Sequence, residues 1–144
     1  MRRAALVLAL AAAAAGCSDL GVRTAVDRIP VAIAAPSFAR DVAPLLEETC
    51  ASSGACHGGA HPARALDLAT ARSYASLVNA PSVFSPALRR VRPGFPDSSF
   101  AFRVLSDDPA YRLGYYRMPL TRTALPSPVI ETIRNWIQQG AQNN

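Results

Sequence analysis

Two thiols and an imidazole stand within eight residues in Cys50-Ala-Ser-Ser-Gly-Ala-Cys56-His57, and Gly58-Gly59 follow directly. A cysteine pair with histidine immediately after the second thiol is the arrangement in which both thiols add to haem vinyl groups and the imidazole takes an axial position on iron. The usual spacing has two residues between the cysteines, whereas here there are five. Closure entropy grows as about (3/2)RT ln n, so the longer gap costs roughly 0.8 kcal/mol. That is small beside two covalent bonds and an axial ligand. An iron that carries electrons needs a second axial ligand, and a Met thioether opposite His raises its reduction potential. The only methionines are Met1 and Met118, and Met118 lies in Tyr115-Tyr116-Arg117-Met118-Pro119. There the aromatics can wall a cofactor, and Arg117 can meet a carboxylate such as a haem propionate.

The same residues admit plainer chemistry. A disulfide between Cys50 and Cys56 would close a seven-residue loop worth roughly 2.4 kcal/mol. His57 would then be a surface or capping histidine, and Met118 would fill the core beside its aromatics. A metal held by Cys50, Cys56, His57 and His61 would have C-x5-C-H-x3-H spacing, which matches no established zinc arrangement. Arg89, Arg90 and Arg92 form a basic run that reads as a solvated face, with haem propionates or an acidic redox partner as the alternative. Asp107-Asp108 has no third group to make a carboxylate pair catalytic. No G-x-S-x-G, P-loop or H-E-x-x-H occurs.

The front of the chain assigns the compartment. Arg2-Arg3 precede a twelve-residue apolar run from Ala4 to Ala15, then Gly16-Cys17. A bilayer of about 30 Å needs about 20 apolar residues, so this run fits an export signal rather than a membrane span. Ala14-Ala15-Gly16-Cys17 resembles the lipobox of bacterial lipoproteins, which implies a signal peptide over 1–16 and a lipid on Cys17. Membrane attachment would then run through Cys17, and Ser18 implies delivery to the outer membrane, with the protein facing the periplasm. With Cys17 taken, Cys50 and Cys56 remain as an even pair in an oxidising compartment. All fifteen basic residues are Arg, against ten acidic ones, and half the chain is hydrophobic with a mean hydropathy of +0.12. Without Arg2 and Arg3 the net charge is roughly +3, too small to suggest a nucleic-acid binder.

Residues 17–35 show no steady period and read as lipid anchor and tether, leaving one domain over 36–142. Ser37 can cap a helix carrying Phe38, Val42, Leu45 and Leu46 on one face and running into Cys50. Pro44 kinks that helix if it starts at Ser37, and sits harmlessly in the first turn if Asp41 is the cap. Thr70 can cap a helix through Val78 with Tyr74, Leu77 and Val78 inward. Asp97 can cap another through Leu105 carrying Phe100, Val104 and Leu105. The last helix is the clearest, with Ser127 as cap, Pro128 at the first helical position and Gly140 past the end. Its stripe is Val129, Ile130, Ile133, Trp136 and Ile137. Proline-rich connections and the lack of alternating runs predict an all-α fold of four to five short helices with long ordered loops.

In this order the pieces resemble the small c-type cytochrome superfamily, in particular the cytochrome-c-like domain of exported planctomycete and myxobacterial proteins. The resemblance rests on Phe38-Ala-Arg-Asp-Val-Ala-Pro-Leu-Leu, Cys56-His57-Gly58-Gly59, Leu66-Asp67-Leu68, Tyr74-Ala-Ser-Leu-Val-Asn79 and Arg92-Pro93-Gly94 with Asp97-Ser98-Ser99. It continues through Arg117-Met118-Pro119 and Ile133-Arg-Asn-Trp136-Ile137-Gln-Gln-Gly-Ala141. It implies covalent haem c on Cys50 and Cys56, iron held by His57 and Met118, and first and last helices that cross. The implied function is that of an electron carrier rather than an enzyme, exchanging single electrons with a periplasmic or membrane redox protein. A haem-free, disulfide-stapled module of the same shape, acting in envelope interactions, is the alternative.

Overall fold

The computed structural model describes residues 24–106, 108–109, 114–120 and 123–144. The expected signal peptide over 1–16, Cys17 with its expected lipid, Ser18 and Asp107 lie outside the described residues. The fold is all-α, as expected. Among the described residues the helices are α1 (Ala43–Cys50), α2 (Thr70–Leu77), α3 (Phe100–Leu105) and α4 (Ser127–Gln138), with 3-10 turns at Ala63–Ala65 and Pro96–Ser98. Among the described residues, β structure is confined to isolated bridges such as Val78 with Val91, and no helix is long and apolar enough to cross a membrane.

A π turn over Phe38–Val42 leads into α1, so the first helical segment starts at Ser37 and places Pro44 in its interior. Proline lacks an N–H, and its ring strikes the carbonyl four residues earlier in a regular helix. The wider turn ahead of it, closed by Ala43 N–H to the Phe38 carbonyl, accommodates the ring. Ser37 caps as expected: its Oγ accepts from Arg40 N at 3.4 Å, and its own N–H donates to Asp41 Oδ2 at 2.8 Å. Asn144 adds a second cap from the far end of the chain. Its carbonyl oxygen accepts from Ser37 Oγ and Ala39 N, and its Oδ1 accepts from Phe38 N.

The stripe on α4 is buried in full, from Val129 through Ile130, Ile133 and Trp136 to Ile137. It meets the first helical segment where the Phe38 ring lies 5.1 Å from Trp136 and, edge-on, 5.1 Å from Tyr74 of α2. Three boundaries differ from expectation. Ser127 and Thr70 are themselves helical and make no capping bond, and α3 starts at Phe100 after a separate turn at Asp97. On α3 the buried residues are Phe102 and Leu105, while Phe100 turns outward to join Phe84 and Tyr115.

The largest difference lies before Pro36. Residues 24–34, expected as tether, pack on the core. Ala25 and Ile29 are buried, and Ile33 donates its N–H to Thr132 Oγ1 while accepting from Asn135 Nδ2 through its carbonyl. Thr132 is fully buried and uses both halves of its hydroxyl, since it also donates to the Pro128 carbonyl. Buried polar groups are tolerated when paired in this way.

Ile137 is fully buried, so Ile137→Ala is expected to cost about 2–5 kcal/mol through lost transfer energy and the cavity left behind. The exposed Gln138→Ala should stay within about 0.5 kcal/mol of the parent. Urea unfolding monitored by circular dichroism measures both.

Candidate functional site

Cys50 is the last residue of α1, and the chain reverses immediately after it. The reversal is cinched by backbone bonds: His57 N–H donates to the Cys50 carbonyl at 2.9 Å, and Cys56 N–H donates to the Ser53 carbonyl at 3.1 Å. The far side is tied as well, by Ala63 N–H to the Cys56 carbonyl and Leu68 N–H to the His57 carbonyl, both 2.7 Å. Residue 58 passes directly beneath the helix end, where a Cβ would lie 2.3 Å from the Ala51 carbonyl oxygen. Only glycine allows so close an approach.

Both thiols are half-buried, and Cys56 carries a free thiol, so the two cysteines do not bridge each other. Cys50 Sγ lies 3.2 Å from Thr49 Oγ1, which itself donates to the Leu45 carbonyl at 2.6 Å. With the hydroxyl proton directed at Leu45, the Cys50 thiol is the donor in this contact. Cys56 Sγ accepts from Ser53 Oγ at 3.2 Å.

His57 is half-buried, with Nδ1 3.2 Å from the Ala63 carbonyl oxygen. A carbonyl only accepts, so Nδ1 carries the proton and the neutral ring has its lone pair on Nε2. Burial holds the imidazole below its ordinary pKa of 6.5, opposed by the Ala63 and Leu66 carbonyls and assisted by the positive charge of Arg90. The ring is therefore neutral at pH 7, the form that ligates metals. An imidazole that gives its one N–H to a backbone carbonyl, leaving the other nitrogen's lone pair for the metal, is the usual supporting arrangement for a histidine ligand.

Arg90 braces this carbonyl shelf. Its Nη1 donates to the Ala65 and Ser76 carbonyls, and its Nη2 to the Arg64 carbonyl at 3.1 Å, fixing the 3-10 turn that contains Ala63. The basic run is thus not uniformly solvated. Arg90 is half-buried and structural, Arg89 donates to the Asn79 carbonyl, and Arg92 stacks 4.2 Å over the exposed Phe95 ring.

Met118 is half-buried against the core, held by its N–H to the Val104 carbonyl at 2.7 Å, and Arg117 beside it buries Nη1. The segment bearing Met118 and the loop after His57 meet at Phe84. The Arg64 guanidinium lies 4.9 Å over the Phe84 ring, and Tyr115 Oη donates to the Phe84 carbonyl at 2.8 Å. His61 is exposed, as expected of a loop residue, and among the described residues no cluster of three or more His, Cys, Asp or Glu forms a metal site. The sequence reading missed the contributions of Ala63, Phe84 and Arg90. Gly58-Gly59 directly after His57 was the one signal of a tight approach there.

Comparison of the chain with protein-family models, with curated proteins and with solved structures finds no match.

Two outcomes follow from this geometry. Gly58→Ala should destabilise the protein by about 1–3 kcal/mol, because backbone rather than a movable side chain opposes the new methyl. The shift of the urea midpoint measures it. As pH falls, the unfolded chain takes up the His57 proton before the folded one, whose pKa burial has lowered. Stability is therefore full above about pH 7, declines as pH drops through 6.5, and levels off below the folded pKa. His57→Gln should flatten this part of the profile, and equal declines in both proteins would show that the fold does not hold the imidazole neutral.

Proposed function

We propose that this chain is a monohaem c-type cytochrome domain, lipid-anchored through Cys17, that carries single electrons in the bacterial cell envelope. One observation carries the proposal: His57 stands directly after the second of two neighbouring thiols with its Nδ1–H committed to the Ala63 carbonyl. That is the tautomer an axial histidine needs, in a neutral ring.

The proximal donor set fits haem. In this reading Cys50 and Cys56 hold the porphyrin by thioether bonds, His57 supplies the proximal nitrogen, Met118 supplies the distal sulfur, and Arg117 pairs with a propionate. Haem supplies the one-electron change between ferrous and ferric iron. The chain's own work is to bind, orient and shield it. The five-residue gap is compatible with this role, because the loop is already closed by the Cys50–His57 backbone bond. The closure cost is thus met by the fold itself rather than by attachment. Support for Met118 comes from its half-buried place against the core and from the wall its segment shares with the His57 loop at Phe84. A thioether in the sixth position leaves no open site for substrate, which favours an electron carrier over an enzyme.

The test is production alongside a c-type maturation system, followed by absorption spectra of the oxidised and dithionite-reduced protein and a haem stain of the denatured chain. A sharp reduced α-band with haem retained after denaturation is expected. A colourless protein in which Cys50 and Cys56 have oxidised to a disulfide, alongside a control cytochrome that matures, would overturn the proposal and leave the stapled envelope module. Met118→Ala should keep its haem yet bind added carbon monoxide in the reduced form. Ligand binding no greater than that of the parent would remove Met118 from the scheme.

A further inference from the structure

Residues 24–34, which the lipoprotein reading places between Cys17 and the domain, are not a free leash, and this constrains how the domain can sit on a membrane. Were residues 18–35 all tether, the chain could place the core about 60 Å from the lipid. Among the described residues the packed segment reaches back to Thr24, and the six residues between it and Cys17 have a covalent backbone that spans at most about 25 Å.

This segment is firmly fixed. Ala25 and Ile29 are buried, Ala25 N–H and Arg28 Nη2 both donate to the Glu48 carboxylate, and Ile33 is bonded to α4 in both directions. Its outer surface is open, with Thr24, Asp27, Arg28 and Pro30 exposed and Val31 74% exposed. The Arg28 charge is already paired with Glu48, so what this face offers the headgroup boundary of a bilayer is the exposed Val31 side chain among small polar groups.

The attachment also sets direction. Glu48 and Cys50 both belong to α1, two residues apart. At 3.6 residues per turn, two positions are about 200° apart, so they emerge on opposite sides of a helix about 10 Å wide. The segment nearest the lipid grips α1 on the side turned away from Cys50.

From this we infer that a lipid on Cys17 seats the domain on the bilayer by its Thr24–Val31 face, with the Cys50–His57 loop directed away from the membrane toward a water-soluble redox partner. The inference rests on the lipoprotein reading of Cys17 and, for the partner, on the haem reading of the Cys50–His57 loop, and deepens them by naming the seated face.

Hydrogen exchange read by mass spectrometry tests it on the lipidated full chain, in vesicles of phosphatidylethanolamine and phosphatidylglycerol, against the soluble chain that begins at residue 18. Slower exchange is expected in peptides covering 24–31, with peptides covering 50–61 unchanged. Inserting about 20 flexible Gly/Ser residues after Ser18 should abolish the added protection while the protein still floats with vesicles. Unchanged exchange over 24–31 in protein that floats would overturn the seating, and protection over 50–61 instead would reverse the orientation. Failure to float, with no lipid mass on Cys17, would overturn the anchor itself, an outcome separate from the other two.

Discussion

The passage of the Gly58 backbone beneath the Ala51 carbonyl, closer than any side chain would permit, is the constraint on which the candidate site depends. It lets the chain turn back under the end of α1 within a few residues. His57 N–H can then reach the Cys50 carbonyl, and the following segment can double back to place the Ala63 carbonyl against the imidazole. From this one approach come the half-buried position of the ring, its neutral state and the identity of its protonated nitrogen. Arg90, bonded to the Arg64 and Ala65 carbonyls of the 3-10 turn and to the Ser76 carbonyl of α2, keeps the carbonyl shelf from shifting.

The rest of the fold holds α1 still. Phe38 between Trp136 and Tyr74 locks the start of the helical segment to α4 and α2, and Asn144 caps the same start. The Glu48 carboxylate holds the opposite end against residues 25–28. The Arg28–Glu48 ion pair is exposed and worth little alone. Burial of Ala25 and Ile29 is what makes the segment adhere, since apolar area removed from water is the larger contribution. Under the haem proposal, the site gains from being built at the end of a helix fixed at both ends.

What the sequence made legible was what periodicity and punctuation encode. The stripe on α4 and the run of α1 into Cys50 could be read because apolar residues recur at helical spacing, while the meeting of Phe38 with Trp136 was implied only by the resemblance to a fold whose first and last helices cross. Residues 24–34 could not, because two buried anchors four apart, Ala25 and Ile29, set no period. Phe100 was expected inward because it lies on the apolar face of α3, yet it joins a surface aromatic cluster with Phe84 and Tyr115 that only the tertiary fold assembles. Arg90 was hidden within a run of arginines that reads as solvated. Ala63 acts through its carbonyl, and no side chain advertises a backbone acceptor.

That the fold sets the His57 tautomer before any ligand arrives is tested most directly by nitrogen-15 NMR of the imidazole side chains at neutral pH. His61→Gln identifies the His57 signals. A protonated, pyrrole-type Nδ1 with a pyridine-type Nε2 is the predicted result. A proton on Nε2, with the lone pair on Nδ1, would break the bond to Ala63 and contradict the proposal that His57 is a ligand prepared by its own backbone.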